Sequence, residues 1–186
     1  MRPHLRALAV LVALLLAGCY VSKEPFITPA TADYPIATGT RFEAARPSGK
    51  EWRRQAGRTV HRAGAHYVYV EDGSLRRSVP FLLKEIAPKR YILQLSDSSD
   101  PAKIREYYYA LLDFDGATAI QFQPACYPRD AWLARKWIDK VERLSTGNRC
   151  LFSSLENLTS VLQDASVLAA PEMRFTVARP TEKPAR

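Results

Sequence analysis

Histidine and cysteine are both scarce in this chain of 186 residues, three of each, and the scarcity removes most metal and nucleophile chemistry at the outset. His4 lies in the apolar N-terminal region, so only His61 and His66 remain for a folded body. Their odd separation along a strand places them on opposite faces unless Gly64 makes a bulge. Two of the cysteines, Cys126 and Cys150, lack histidines at ligand spacing and make only half a zinc site. No His-Glu-x-x-His helix, Gly-x-Ser-x-Gly elbow or Rossmann fingerprint occurs. Gly49-Lys50 resembles the end of a phosphate-binding loop, but Ala44 stands where the first glycine belongs and Glu51 follows the lysine. Asp97 with Asp100, and Asp113 with Asp115, lack the ligand spacing of a calcium loop and are explained by turn chemistry. The expectation is a chain with no catalytic residues, no metal and no cofactor. The longest apolar run, Ala7 to Ala17, falls short of the roughly 20 residues a membrane-spanning helix needs.

What the chain does have is positive charge: 27 Lys and Arg against 19 Asp and Glu, a formal balance of +8. A basic excess favours anionic neighbours, but no zinc-finger, RNA-recognition or basic-zipper signature accompanies it, so nucleic acid is not an expected partner. Arg2 and Arg6 precede the apolar run and give it the shape of an export leader. The run ends in Leu16-Ala17-Gly18-Cys19, which resembles the lipobox of bacterial lipoproteins. That resemblance implies cleavage before Cys19, a lipid on its sulfur, and attachment to a membrane of the cell envelope. Tyr20 in place of a retention aspartate implies, in a cell with two membranes, the periplasmic face of the outer one. The resemblance covers the first nineteen residues and transfers no activity to the other 168. Cleavage also removes Arg2 and Arg6, leaving 25 basic and 19 acidic residues, a balance of +6. In an exported chain the remaining even pair, Cys126 and Cys150, reads as a disulfide.

The expected domain organisation is a signal peptide over 1–18, a lipid-anchored tether over 19–38, one β-rich domain over 39–178 and a disordered tail over 179–186. Prolines at 25, 29 and 35 with no sustained period suggest the tether. From Gly39 short alternating runs predict antiparallel strands, clearest at 66–71, 90–95 and 106–113 and fainter at 41–45, 58–62, 81–86 and 118–123. Asp72-Gly73 and Asp115-Gly116 predict hairpins. Trp132, Leu133, Trp137, Val141 and Leu144 give 129–145 a helical stripe that Gly147 would end, with Asp139 and Arg143 paired at i,i+4. Ser153 and Glu156 have capping-box spacing for a second helix, and 173–178 alternates as a returning strand. The fold class expected is α+β: an antiparallel meander forming a roll or small barrel, then a helical pair fastened by the disulfide, then a C-terminal strand.

Two features are candidates for binding. Arg41, Arg46, Lys50, Arg53, Arg54, Arg58 and Arg62 cluster against only Glu43 and Glu51, and Arg53, Arg54 and Arg58 suggest a surface for anionic lipid. Tyr107, Tyr108 and Tyr109 must alternate faces on a strand, which would leave at least one tyrosine free to touch a partner protein or glycan. The functional expectation is a lipid-anchored, non-enzymatic binding or scaffolding module of the envelope. Its alternatives are an envelope hydrolase whose site assembles only in the fold, or an inhibitor of a wall-degrading enzyme.

Overall fold

The computed structural model describes residues 20–74, 80–123, 126, 137–144, 147–164 and 171–178. The expected signal peptide, Cys19, the stretch 129–136 and the tail lie outside these residues.

Twelve strands form one sheet: β1 (Tyr20–Ser22), β2 (Arg41–Ser48), β3 (Glu51–Arg54), β4 (Arg58–Ala63), β5 (His66–Glu71), β6 (Phe81–Ala87), β7 (Arg90–Ser96), β8 (Tyr107–Phe114), β9 (Thr118–Phe122), β10 (Lys140–Leu144), β11 (Gly147–Leu151) and β12 (Pro171–Val177). Eight of them close on themselves in the order β2-β4-β5-β6-β7-β8-β9-β12 and back to β2, every neighbour antiparallel. The closed ring is an up-and-down barrel, which leaves no free edges along the paired strands.

The ring closes at β8 by a fork. Residues Leu111 to Phe114 pair with β9, while Tyr107 to Tyr109 of the same edge pair with β1. From β1 the sheet continues outside the ring through β11, held in parallel, to β10.

Sequence alternation sorts the barrel's side chains. Phe42, Val60, Leu93, Ala110, Leu112 and Phe114 belong to an inner cluster. Leu82, Ile92, Tyr109 and Leu111 face outward, yet are buried beneath a second layer. That layer is built from Tyr20, Ile27, the Cys126–Cys150 bridge, Phe152 and the helix α1 (Leu155–Gln163), whose Leu158, Val161 and Leu162 are at most 1% exposed. Ser154 caps α1, its Oγ accepting from the Asn157 amide at 3.2 Å, one residue after the serine the capping pattern selects.

The two ends of the barrel differ. At one end the strands turn tightly, through Gly64-Ala65, Pro88-Lys89 and Asp115-Gly116. Gly116 takes φ +97°, a left-handed conformation that favours glycine, and Asp115 Oδ1 accepts from the amides of Ala117 and Thr118 at 2.9 and 2.7 Å. At the other end β7 and β8 are joined by a longer connection, residues 97–106, which includes a single 3-10 turn over Pro101–Lys103.

Four expectations are corrected. The fold is not α+β with a helical pair: residues 140–144 are β10 and pair with β11, so the helix expected over 129–145 does not extend through them. Gly147 opens a strand where it was expected to end a helix, and Glu142 sits opposite Arg149, which also bonds Glu106 across to β8. The i,i+4 pairing of Asp139 with Arg143 gives way to Asp139 Oδ2 accepting from the Ser153 amide at 2.5 Å and to Arg143 opposite Asn148 in the ladder. Finally, 20–38 is not a free tether. Tyr20 and Val21 are 1% exposed, and the carbonyl and amide of Ile27 both bond the Gln94 side chain at 2.8 Å. Further on, the chain crosses the tight-turn end: Asp33 bridges Leu83 of β6, Ile36 exchanges hydrogen bonds with the Tyr67 hydroxyl, and Gly39 bonds Val60 of β4. It runs along the edge of β6 beyond Phe81, the residue that pairs with Tyr67 of β5, where the Glu85 amide donates to Asp33 Oδ2 at 2.8 Å.

Candidate functional site inside the barrel

Between the inner cluster and the long-connection end lies a cavity of about 400 Å³. Sites for small molecules span roughly 300–1,000 Å³, and an eight-stranded barrel is just wide enough either to be filled by its side chains or to hold one small ligand. The floor is Ile36 and the lower wall is apolar, with Phe42, Val60, Leu93, Leu112 and Phe175. Polar groups gather toward the other end: Arg46, Arg58, Tyr69, Tyr108, Gln121 and Glu172.

Strand geometry explains why each is there. Phe42, Ala44 and Arg46 occupy alternate positions of β2, so the face that buries Phe42 and Ala44 presents Arg46 one step further out. Arg58 stands in the same relation to Val60 on β4. Its guanidinium lies 4.6 Å from the centre of the Tyr69 ring and 5.4 Å from that of Phe175, and its Nε is buried without a hydrogen-bond partner. Arg46 Nε points to the Met173 sulfur at 3.1 Å, a weak acceptor. Glu172 reaches the interior through a bulge: Phe122 faces Pro171 and Gln121 faces Met173, leaving Glu172 as the extra residue of β12. It accepts from Gln121 Nε2 at 3.3 Å. Burial raises its carboxyl above the usual range, against the pull of Arg46 and Arg58 in the opposite direction.

The basic segment does not form one surface. Arg58 turns inward, while Arg53 and Arg54 stay exposed on β3, Arg53 opposite Arg46 and Arg54 paired with Glu43 at 3.2 Å. Arg41 pairs with Asp72 at 2.6 Å, and Arg62 lies 3.6 Å over the Tyr34 ring at the tight-turn end. The tyrosine run is divided likewise. Tyr109 is fully buried, its hydroxyl 2.7 Å from Ser22 Oγ and 3.2 Å from Gln94 Oε1, and burial pushes its phenol up to about 12. Tyr107 is half-buried in the outer layer, and Tyr108 lines the cavity with its hydroxyl 3.3 Å from Glu106. Burial, and then the Glu106 charge, push the Tyr108 phenol up to about 12. No exposed aromatic platform results.

The Cys126–Cys150 disulfide is present, with Cα atoms 5.7 Å apart and both cysteines buried against the outer face of the barrel. His61 and His66 fall on the same face of the β4–β5 hairpin, the one opposite Val60 and Tyr67, because His66 stands across from Ala63, two residues beyond His61; the opposite faces expected from their odd separation do not survive the Gly64-Ala65 turn. Among the described residues no three His, Cys, Asp or Glu side chains converge as a metal site. Sequence reasoning placed Arg46 only within the basic cluster and did not name Glu172, although the alternation Phe42, Ala44, Arg46 was a usable signal that the first points inward. No family model, curated protein or solved structure matches this chain.

Proposed function

We propose that this chain is an envelope lipoprotein acting as a non-enzymatic binding module, with its ligand site inside the barrel and not on its surface. The observation that carries the reading is the cavity, apolar at the floor and polar toward the long-connection end, in a barrel whose other end is closed by its own chain. Small-molecule sites combine this kind of apolar wall with a few converging polar groups. The lipobox supports attachment at Cys19, and Tyr20, the next residue, is already a buried member of β1. One residue of extended chain spans about 3.5 Å, so a lipid at Cys19 would hold the barrel at the bilayer surface with no slack. A module so placed is suited to taking up molecules that partition into membranes.

The test is binding of an uncharged environment-sensitive dye to the mature chain carrying Cys19→Ser. Ala119 is 3% exposed and lines the cavity, so Ala119→Trp fills it. Dye fluorescence should rise with the parent and not with the filled variant. Equal responses from both folded proteins would contradict an interior site.

A further inference from the structure

Resting on that reading of the cavity, we infer that its ligand is a single-chain amphiphile with an anionic head, the chain lying against Ile36, Leu93 and Leu112 and the head bonded by Arg46 and Arg58. Two arginines project into a largely apolar barrel, and among the described residues neither has a carboxylate within ion-pair distance. A cation drawn from water into such a place is costly unless something compensates it. Packing between Tyr69 and Phe175 offsets part of that for Arg58. It also fixes the plane of the guanidinium while leaving its in-plane donors available, Nε among them. Carboxylate and phosphate are the groups whose geometry matches such a fork.

The other charged groups near the head set the balance. Glu172 is the acidic group close to both arginines, and its burial favours the neutral carboxyl. Asp97 is exposed and its Oδ1 accepts from the Arg105 amide at 3.0 Å, turned toward its own loop. The phenols of Tyr69 and Tyr108 complete the polar end as hydrogen-bonding groups. Glu106, beside the Tyr108 hydroxyl, is itself paired with Arg149. The head therefore meets two fixed positive charges and, in Glu172, one carboxyl whose opposing negative charge is weakened by burial. The apolar lining below it is matched to an unbranched chain entering from the polar end.

The test measures binding of four dodecyl compounds to the mature Cys19→Ser protein by calorimetry below their micelle concentrations: dodecanoate, dodecyl phosphate, dodecanol and dodecylamine. At least one anion should bind roughly ten- to a hundredfold more tightly than dodecanol, the range one or two charge-assisted hydrogen bonds give. The preferred anion distinguishes a carboxylate head from a phosphate head. Arg46→Gln and Arg58→Gln should each erase most of that preference while dodecanol binding stays, and Glu172→Gln should tighten anion binding several-fold. Equal binding of all four compounds, indifferent to the arginines, would overturn the anionic head and leave an interior apolar site standing. Loss of dodecanol together with the anions in the arginine variants would show that the arginines support the walls, and would also overturn the assignment. Binding of none of the four would overturn both this inference and the function it rests on.

Discussion

Gln94 offers a direct perturbation of the layer that wraps the barrel. Its side chain is 4% exposed and holds the Ile27 amide and carbonyl, both at 2.8 Å, while its oxygen also accepts from the Tyr109 hydroxyl. Gln94→Leu keeps the approximate shape and removes all three bonds. Tyr109 retains Ser22 as a partner, but Ile27, 1% exposed, is left with two backbone groups unsatisfied among apolar neighbours. Each such group costs about 1–3 kcal/mol, and partial displacement of the segment toward water holds the sum to about 2–4 kcal/mol. Against a total stability of about 5–15 kcal/mol that is a large fraction. It corresponds to a fall of roughly 4 to 16 °C in Tm for a domain of this size. Urea unfolding of the mature Cys19→Ser chain should show the midpoint lowered with the slope unchanged, and a protease should cut within 20–38 faster than in the parent. A loss below about 0.5 kcal/mol, the level of ordinary surface substitutions, would mean that 20–38 is not docked as described.

Removing the disulfide by Cys126→Ala with Cys150→Ala should cost about 3 kcal/mol in the loop-entropy account, read from the denaturant midpoints of the double variant and the oxidised parent; an unchanged midpoint would refute it. Tyr108 and Tyr109 should escape an ultraviolet titration until about pH 12. Because their folded values lie above the unfolded value of 10, their contribution is full below pH 10 and is lost as pH rises through about 12, so unfolding should set in across that window and not below it. Cys19→Ser should abolish lipid labelling and release the protein from membranes, since each buried CH₂ of an acyl chain contributes about 0.8 kcal/mol. Retention of the leader-cleaved variant in high salt would contradict the lipoprotein reading.

The strands that were legible in the sequence are those whose side-chain alternation or aromatic content is strong over five or more residues. Residues 66–71 are β5, 90–95 fall within β7, and 106–113 overlap β8 to within one residue. What was hidden depends on partners far away in the chain. β1 is three residues long, and its place in the sheet comes from β8 on one side and β11 on the other. In β10, Val141 and Leu144 are three apart, a spacing shared by a helix, and only the ladder with Gly147 to Leu151 decides for a strand. The segment 20–38 has no periodicity because it is held by single contacts, such as Ile27 to Gln94 and Asp33 to Leu83. The site was half visible. Arg58 stood out by charge, but its inward direction follows from ring closure, and Glu172 enters through a bulge that no spacing rule announces.

The central claim is that the barrel interior is a ligand site, and the most direct measurement is an NMR search for contacts between bound dodecanoate and the side chains of the mature Cys19→Ser protein. The account predicts nuclear Overhauser effects from the chain's terminal methyl to the methyls of Ile36, Leu93 and Leu112 on the floor and wall, with the first methylenes near Arg58 and Phe175. Effects confined to outer residues such as the exposed Val141, with none to the three inner residues, would contradict it.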